Sequence, residues 1–335
     1  MLNPFDNDAF SLVEMTRAIN LLPTRTNIFQ TLGMFPERGV TTRTVVVEEM
    51  SGVLSLLPSL PVGAPGTQPK FGKRKVRSFT IPHIPVEFPL SPSDYESVRV
   101  FGSGSQVEAL MEKMQRQLAD IRRKLEATIE YLQAGALKGI ILDADGSVLY
   151  NLYGEFGITP KTINFELDKD TTNVRNKCRE VLRHIDQNLM GDVSTGVTAL
   201  VSPEFWDALQ SHKSVREYFL AAARSMDDTR QRIQDGFFFG GVTFVEYHRT
   251  ATTVTGTPVR YIEENEGHAF PVGTLETFET LYAPADFIET VNTIGMPFYA
   301  KQASRKFERG VDIHAQTNPL PICYRPGVLV KLTAK

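Results

Sequence analysis

The sequence predicts an α+β fold arranged around one long helix. Three observations predict it. Residues 105 to 134 carry apolar side chains at steps of three and four, with no Pro or Gly among them. Strand-like and helix-like segments follow in mixed order with no internal repeat, which argues against regular α/β alternation. Between the first strand and the long helix lies a Pro- and Gly-rich excursion, about 50 to 92, too long for an ordinary connection.

Residues 1 to 36 read as an arm. A short amphipathic helix is expected over 8 to 20, presenting Phe10, Val13 and Ile19, and Pro23 ends it. Phe5, Leu21, Leu22, Ile28, Phe29 and Phe35 continue as apolar beads without a firm period. They must be buried on the chain's own core or on a neighbouring subunit. Residues 40 to 49, VTTRTVVVEE, read as a strand.

From Met50 to Val86 there is no Asp or Glu. Pro58, Pro61, Pro65, Pro69, Pro82, Pro85, Pro89 and Pro92 crowd this stretch and its exit, with Gly63, Gly66 and Gly72 in or beside a turn. Lys70, Lys73, Arg74, Lys75 and Arg77 lie within eight positions. Residues 73 to 81 alternate like a strand, so the excursion has two limbs and a tip near 61 to 69. Three readings of the basic cluster stay open: a solvated strand, a nucleic-acid or nuclear-localisation patch, and a partner for an acidic surface on another protein. A stiffened, acid-free projection suits reaching a partner better than filling a core.

The long helix places Val107, Leu110, Met111, Met114, Leu118, Ile121, Leu125, Ile129 and Leu132 on one stripe, with Leu118, Ile121 and Leu125 as its core. The remaining faces carry Glu108, Glu112, Lys113, Arg116, Asp120, Arg122, Arg123, Lys124, Glu126 and Glu130. Ser105 and Glu108 have capping-box spacing, and Gly135 suits a left-handed C-terminal cap. At about 1.5 Å per residue this rod is roughly 45 Å long. Heptad-like steps over 107 to 125 admit a coiled-coil dimer, but three short, Met-rich heptads favour a sheet or loop packed on the stripe.

After the helix, 140 to 142 and 148 to 150 flank Asp145-Gly146 as a hairpin with a type I′ turn. A second excursion, about 162 to 300, mixes a helix near 171 to 189, a strand at 197 to 201, and a helix opened by Ser202 and Pro203. Another helix near 214 to 223 and strands at 237 to 247 and 259 to 262 complete it. Residues 305 to 333 return to strand and turn composition.

With 335 residues the chain suffices for about two domains. At 41% apolar and 22% charged residues it reads as a soluble globular protein, with no stretch of about 18 apolar residues to span a membrane. Net charge is −3, so any contact with nucleic acid is local. Asp6, Asp8 and Glu14 stand where a signal peptide needs a basic region. Cys178 and Cys323 define neither a disulfide framework nor a metal site, and a reducing compartment is the simplest inference.

One motif resembles an active site. IILDADGSVL (140 to 149) is similar to the opening of haloacid-dehalogenase-like phosphatases, in which the position of Asp143 would be nucleophile and Asp145 general acid, with Mg²⁺. It follows a long helix instead of opening a Rossmann-like sheet. Gly191-Asp192 continues as VSTG without the second acid, and an Asp-Gly hairpin explains the same letters. His83, His184, His212, His248, His268 and His314 are scattered without metal-ligand spacing. Asp227-Asp228 reads as a solvated charge cluster, and Trp206, at helical spacing with Leu209, as core. No catalytic, cofactor-binding or metal residue is assigned.

The order of arm, basic excursion, rod helix, hairpin, inserted mixed domain and returning strands resembles the lambda-type major capsid proteins of tailed phages, the major head protein E family. PHIPVEF (82 to 88), LVSPEFWDAL (200 to 209), FFFGGVTFVEY (237 to 247), PVRYIEENEGHAFPVGT (258 to 274), GMPFYAKQ (295 to 302) and PLPICYRPGVLVKLTA (319 to 334) carry the likeness. The resemblance implies the Hong Kong 97-type capsid fold. Residues 1 to 36 would be the N-terminal arm and 50 to 92 the extended loop. Residues 37 to 49, 93 to 161 and 301 to 335 would form the peripheral domain with spine helix 105 to 134, and 162 to 300 the axial domain. It implies a structural protein, not an enzyme, that self-assembles through pentamers and hexamers into an icosahedral shell around DNA. On this reading Lys70, Lys73, Arg74, Lys75 and Arg77 contact another subunit. The implied partners are further copies, a scaffold, a portal, a decoration protein and non-specifically held DNA, with no membrane and no cofactor. The place is the virion, after assembly in the host cytoplasm. An encapsulin-like compartment shell is the alternative reading of the same fold.

Overall fold

The computed structural model describes residues 11–23, 26–50, 74–91, 106–223, 236–253 and 256–335. Helix α1 (Leu12–Leu21) starts at Ser11, whose hydroxyl accepts from the Glu14 amide; residues 8 to 10 lie outside the described residues. The helix buries Met15, Thr16 and Ile19, while Val13, expected on the buried face, is exposed. At about 100° per residue Val13 falls well away from the Met15–Ile19 face. One turn, α2 (Ile28–Thr31), is closed by an Asn27–Gln30 capping box and seats Phe29 against Phe35 and Tyr247. Phe29 and Phe35 are thus buried on the chain's own core.

Strand β1 (Glu37–Gly39) precedes a ribbon of β2 (Thr44–Met50) and β3 (Arg74–Thr80), antiparallel from Thr44 opposite Thr80 to Met50 opposite Arg74. The strand expected from residue 40 thus begins at Thr44. The chain then enters β4 (Ile84–Leu90), which belongs to the body of the protein.

Helix α3 (Gln106–Lys138) is the predicted rod, extended at its end. Gly135 does not cap it. That glycine sits inside the helix, where a Cβ would press on the backbone of Ile140 and Ile141. Gly139, at φ +77°, ends the helix instead. Close packing on the next strand, not chain reversal, requires the earlier glycine. Met114, Leu118, Ile121, Leu125, Ile129 and Leu132 are buried as the stripe predicts. The side chains of Val107, Leu110 and Met111, and the Ser105 cap, lie outside the described residues. Arg122 and Glu130, counted among the polar faces, are buried too.

Strands β5 (Ile140–Leu142) and β6 (Val148–Asn151) form the predicted hairpin, with a different turn. The Gly146 amide donates to Asp143 O at 3.0 Å and only Gly146 has positive φ, +88°. A type I′ turn needs positive φ at both central residues, so the Asp145-Gly146 assignment is corrected to a longer turn with one left-handed glycine. Asp145 contributes its carboxylate, which accepts from the Ser147 amide at 2.8 Å.

Helix α4 (Leu152–Phe156) and strand β7 (Lys161–Asn164) lead to α5 (Val174–Asn188), capped by Asn173. Strand β8 (Gly196–Val201) runs into α6 (Pro203–Ser211), whose Ser202 cap and Pro203 follow the predicted start, and then α7 (Lys213–Ala223). The segment expected as one strand over 237 to 247 is a hairpin, β9 (Phe237–Phe239) and β10 (Val242–Glu246). Gly240 and Gly241, both at positive φ, supply its two-residue turn. The remaining strands are β11 (Thr250–Thr252), β12 (Pro258–Arg260), β13 (Glu266–Val272), β14 (Phe278–Tyr282), β15 (Tyr299–Ser304), β16 (Val311–Thr317), β17 (Pro319–Cys323) and β18 (Val330–Thr333).

Among the described residues the largest sheet has the order β7-β18-β13-β8-β10-β9, and two three-stranded sheets run β15-β16-β4 and β1-β14-β17. This pairing cuts across the expected domain limits. Strand β18, expected with the segment from 301 onwards, lies between β7 and β13 of the second excursion. Strand β4, expected in the loop, is an edge of the sheet with β16 and β15. Strand β14, expected in the inserted domain, pairs with β1 and β17. Sheet membership is decided by pairing between residues far apart in sequence, which chain order does not display.

Helix α3 spans two cores. From Met114 to Ile129 its stripe packs with Met15, Ile19, Leu90, Phe298, Ala300 and Ile313. Its last turns put Leu132, Ala136 and Leu137 into the larger core, with Phe244, Phe270 and Leu332. Each Leu, Ile, Met or Phe among these contributes about 1.5–3 kcal/mol on burial. Leu118, Ile121 and Leu125 are therefore buried in the first core, between helix α1 and the antiparallel sheet β15-β16-β4.

Candidate assembly surfaces

The ribbon β2–β3 is the stem from which residues 51–73 depart. A two-stranded ribbon alone is marginal in water. This one is held at its root by side chains that alternate onto one face. Phe79 packs edge-on to Tyr150 (5.3 Å between centroids) and stacks with Phe156 (6.3 Å). The Tyr150 hydroxyl accepts from the Thr80 amide at 2.8 Å and donates to the Thr80 carbonyl at 2.7 Å, clamping the strand end. Val47 is buried on the same side, whereas Val46 and Val76 are exposed on the other. No local spacing signals this aromatic clamp, because Tyr150 and Phe156 lie about 70 or more residues beyond Phe79.

The five basic residues separate. Arg77 turns onto its own chain, its guanidinium 4.5 Å from the centroid of Phe156 and its Nε donating to Glu155 O at 2.5 Å. Arg74 and Lys75 stand opposite Met50 and Glu49 in the ribbon register. Lys70 and Lys73 lie outside the described residues.

The middle of α3 shows how charged side chains come to be buried on a helix. Arg122 Nε donates to Glu126 at 2.8 Å, its Nη1 donates to Ile19 O, and its guanidinium sits 5.1 Å from the Phe298 ring centroid. It thereby ties α1 to α3. Glu130 accepts from the Tyr247 hydroxyl at 2.7 Å, with Arg249 at 3.5 Å. The Tyr261 hydroxyl donates to Ala127 O at 2.9 Å. A polar cavity of about 370 Å³ opens beside these groups, bordered by Asn20, Asn27 and Gln30 of the arm. Only the Arg122/Glu126 spacing hinted at this in sequence, because that pair can shield itself at i, i+4.

None of these groups forms a catalytic constellation. Asp143 and Asp145 spend their carboxylates on the Ala144 and Ser147 amides of the hairpin turn. Among the described residues no group of three or more His, Cys, Asp or Glu could hold a metal. Trp206 is core, edge-on to Phe237. Burial pushes the Cys178 and Cys323 thiols up to about 12, away from nucleophilic thiolate. Burial, with Lys138 and Lys331 nearby, pushes His268 down to about 3. The Asp227-Asp228 cluster lies outside the described residues.

A second structural device centres on Asp192, which no local motif marks. Asp192 accepts from the Val193 amide (2.8 Å), the Leu275 and Glu276 amides (3.3 and 3.4 Å) and the Thr277 hydroxyl (2.9 Å). Arg325 adds an ion pair at 3.3 Å. Burial raises this carboxyl's pKa and the hydrogen bonds lower it, with a net shift downward. One carboxylate therefore ties together two loops at the end of the largest sheet.

The chain matches the model of a family described as phage major capsid protein E over residues 11–334. The chain belongs to that family. It is 30% identical to the major capsid protein of Pseudomonas phage KPP10, over 96% of each chain. It is 26% identical to the major capsid protein of Salmonella phage Felix O1, over 100% of this chain and 99% of that one. Among solved structures it resembles a putative capsid protein of a prophage of E. coli CFT073, with a TM-score of 0.60 at 14% identity over 97% of this chain and 99% of that one. The mature capsid of bacteriophage PhiM1 gives a TM-score of 0.51 at 12% identity over 93% and 89%. The fold is therefore the α+β Hong Kong 97-type capsid fold. As a phage major capsid protein the chain is structural, not enzymatic, and its place is the capsid of a virion. The family match favours this over the compartment-shell and phosphatase readings.

Proposed function

We propose that copies of this chain assemble through pentamers and hexamers into the icosahedral head shell that encloses the double-stranded DNA of a tailed phage. The observation that carries this reading is the match to the capsid family over residues 11–334. In this reading α1, α3 and the β15-β16-β4 sheet form the peripheral domain. The six-stranded sheet with α5 and α6 forms the axial domain, towards the five- and six-fold axes. The ribbon β2–β3 with residues 51–73 is the extended loop, laid over a neighbour. Lys70, Lys73, Arg74 and Lys75 meet acidic groups there, and Arg77 serves its own subunit. Complementary charge fixes register between copies, and the Pro content of the loop lowers the entropy lost on docking. A scaffold, a portal and a decoration protein complete the head, and packaged DNA touches the inner face without sequence preference. Assembly takes place in the host cytoplasm.

Sedimentation and negative-stain microscopy of the purified protein test this. Concentration-dependent capsomers, shells or tubes are expected. Only monomer or dimer at high concentration, with or without scaffold, refutes it.

A further inference from the structure

Residues 286 to 296, DFIETVNTIGM, form a turn that exposes its apolar side chains beside its polar ones and buries Thr290. In a solvent-facing turn the polar side chains face water and the apolar ones face in. Here Thr290 is 6% exposed, its hydroxyl within 2.8 and 2.9 Å of the Ala285 and Phe287 carbonyls. Ile288 is 91% exposed, Val291 64%, Ile294 68% and Met296 42%. These four belong to one short segment, where scattered single apolar residues would need no explanation.

The turn is firmly held. A 3-10 turn spans Ile288–Thr290, and the Thr293 hydroxyl donates to Thr290 O at 2.7 Å. The Gly295 amide donates to Val40 O at 2.9 Å, and the Met296 amide to the buried Tyr299 hydroxyl at 2.8 Å. At the other end Glu289 pairs with Lys301 at 2.6 Å, and that ammonium lies 5.2 Å from the Phe287 ring centroid. Such anchoring presents the apolar side chains in a fixed arrangement, so little ordering entropy opposes their docking.

We propose that this turn is an inter-subunit contact, its apolar side chains covered by a second copy of the same chain. The inference rests on the shell reading above. Family membership supplies the occupant: a capsid chain is surrounded by its own copies, and a rigid apolar knob with a charged rim has the anatomy of an interface core.

The test uses thiol protection. Ile288→Cys and, separately, Ile294→Cys place one accessible thiol on the turn, since native Cys178 and Cys323 are buried. Maleimide labelling is compared between free subunits and particles assembled from this chain alone. Labelling at least about tenfold slower in particles is expected, as burial removes access to the thiol. Hydrogen exchange of the wild-type peptide 286–296 gives the same comparison without substitution, with slower uptake expected in particles. Ile288→Asp with Ile294→Asp should give subunits of normal helix content that fail to form particles. Equal labelling and equal exchange in the two states, or normal particles from the double aspartate variant, overturns the proposal while leaving the shell reading intact. Failure of the wild type to form any particle sinks the shell reading and this inference with it.

Discussion

Replacing His268 with Gln should flatten the acid sensitivity of the folded subunit by about one proton. His268 lies on β13 between Leu200 of β8 and Lys331 of β18, and is 6% exposed. Among the described residues its Nε2 has no hydrogen-bond partner. Burial comes first, then Lys138 at the end of α3 and Lys331, in holding its pKa near 3 against an ordinary 6.5. Lys331 is itself paired with Glu266 at 2.5 Å, and Glu263 and Glu266 act on Lys138. The folded pKa is depressed, so between about pH 6.5 and 3 the unfolded chain binds a proton that the folded chain refuses. Stability is then full above the unfolded pKa and is lost as pH falls through this window. One proton changes stability by about 1.36 kcal/mol per pH unit, and the integrated loss from pH 7 to 4.5 is about 2.5 kcal/mol. Gln is neutral throughout and loses only what the other groups lose. Urea unfolding of dilute, unassembled wild type and His268→Gln at both pH values gives two stability differences. Wild type should lose about 2.5 kcal/mol more than the variant. Parallel losses would refute the assignment of a neutral, buried imidazole.

Leu118→Ala should cost about 2–5 kcal/mol in the same denaturation assay, and Leu118→Asp should prevent folding, because the side chain is buried in the first core. Tyr150→Phe removes both bonds to Thr80 and should cost about 1 kcal/mol, with faster hydrogen exchange at the Thr80 amide as the local readout. Gly146→Ala should destabilise the β5–β6 hairpin by about 1 kcal/mol or more, as its φ is +88°, and Asp145→Ala should cost less, since it loses one acceptor; ranked melting temperatures check the order. Arg74→Glu with Lys75→Glu should leave helix content unchanged by circular dichroism and impair particle formation. Normal particles from that variant would remove this charge from the assembly mechanism.

The legible parts of this fold are those written in local period. The α3 stripe, the Ser202-Pro203 helix start and the β5–β6 hairpin each carry their own signal within a few residues. Position in the fold was less legible. Gly135 had the composition of a cap, yet its reason is the approach of Ile140 and Ile141, visible only once helix and strand are packed. Arg122 and Glu130 belonged by type to solvent. Their burial depends on Ile19, Phe298, Tyr247 and Arg249, residues that lie about 100 or more positions away. Gly240-Gly241 is a local turn signal masked by the apolar letters on both sides of it, which read as one strand. Of the predicted contact cluster, Arg77 was separated from its neighbours by a fact no spacing carries, the ring of Phe156 beneath it.

These long-range polar contacts also bear on how a shell subunit keeps its shape. The two cores share α3, and apolar packing alone would let the sheets slide along a smooth helix. The bonds that cross between them are directional: Tyr247 to Glu130, Tyr261 to Ala127 O, and Gln133 Nε2 to the Thr280 hydroxyl at 3.3 Å. Moving Tyr247 away from α3 takes its hydroxyl donor from buried Glu130, and moving Tyr261 or Thr280 breaks the other two bonds. An unpaired buried carboxylate costs several kcal/mol. The penalty rises steeply with displacement, so the subunit's internal angle is held by a few hydrogen bonds on one helix. The ribbon and the 286–296 turn are each anchored to this body by their own bonds. A capsid chain repeats its contacts through every copy, and an angle held in the monomer is what allows those contacts to meet.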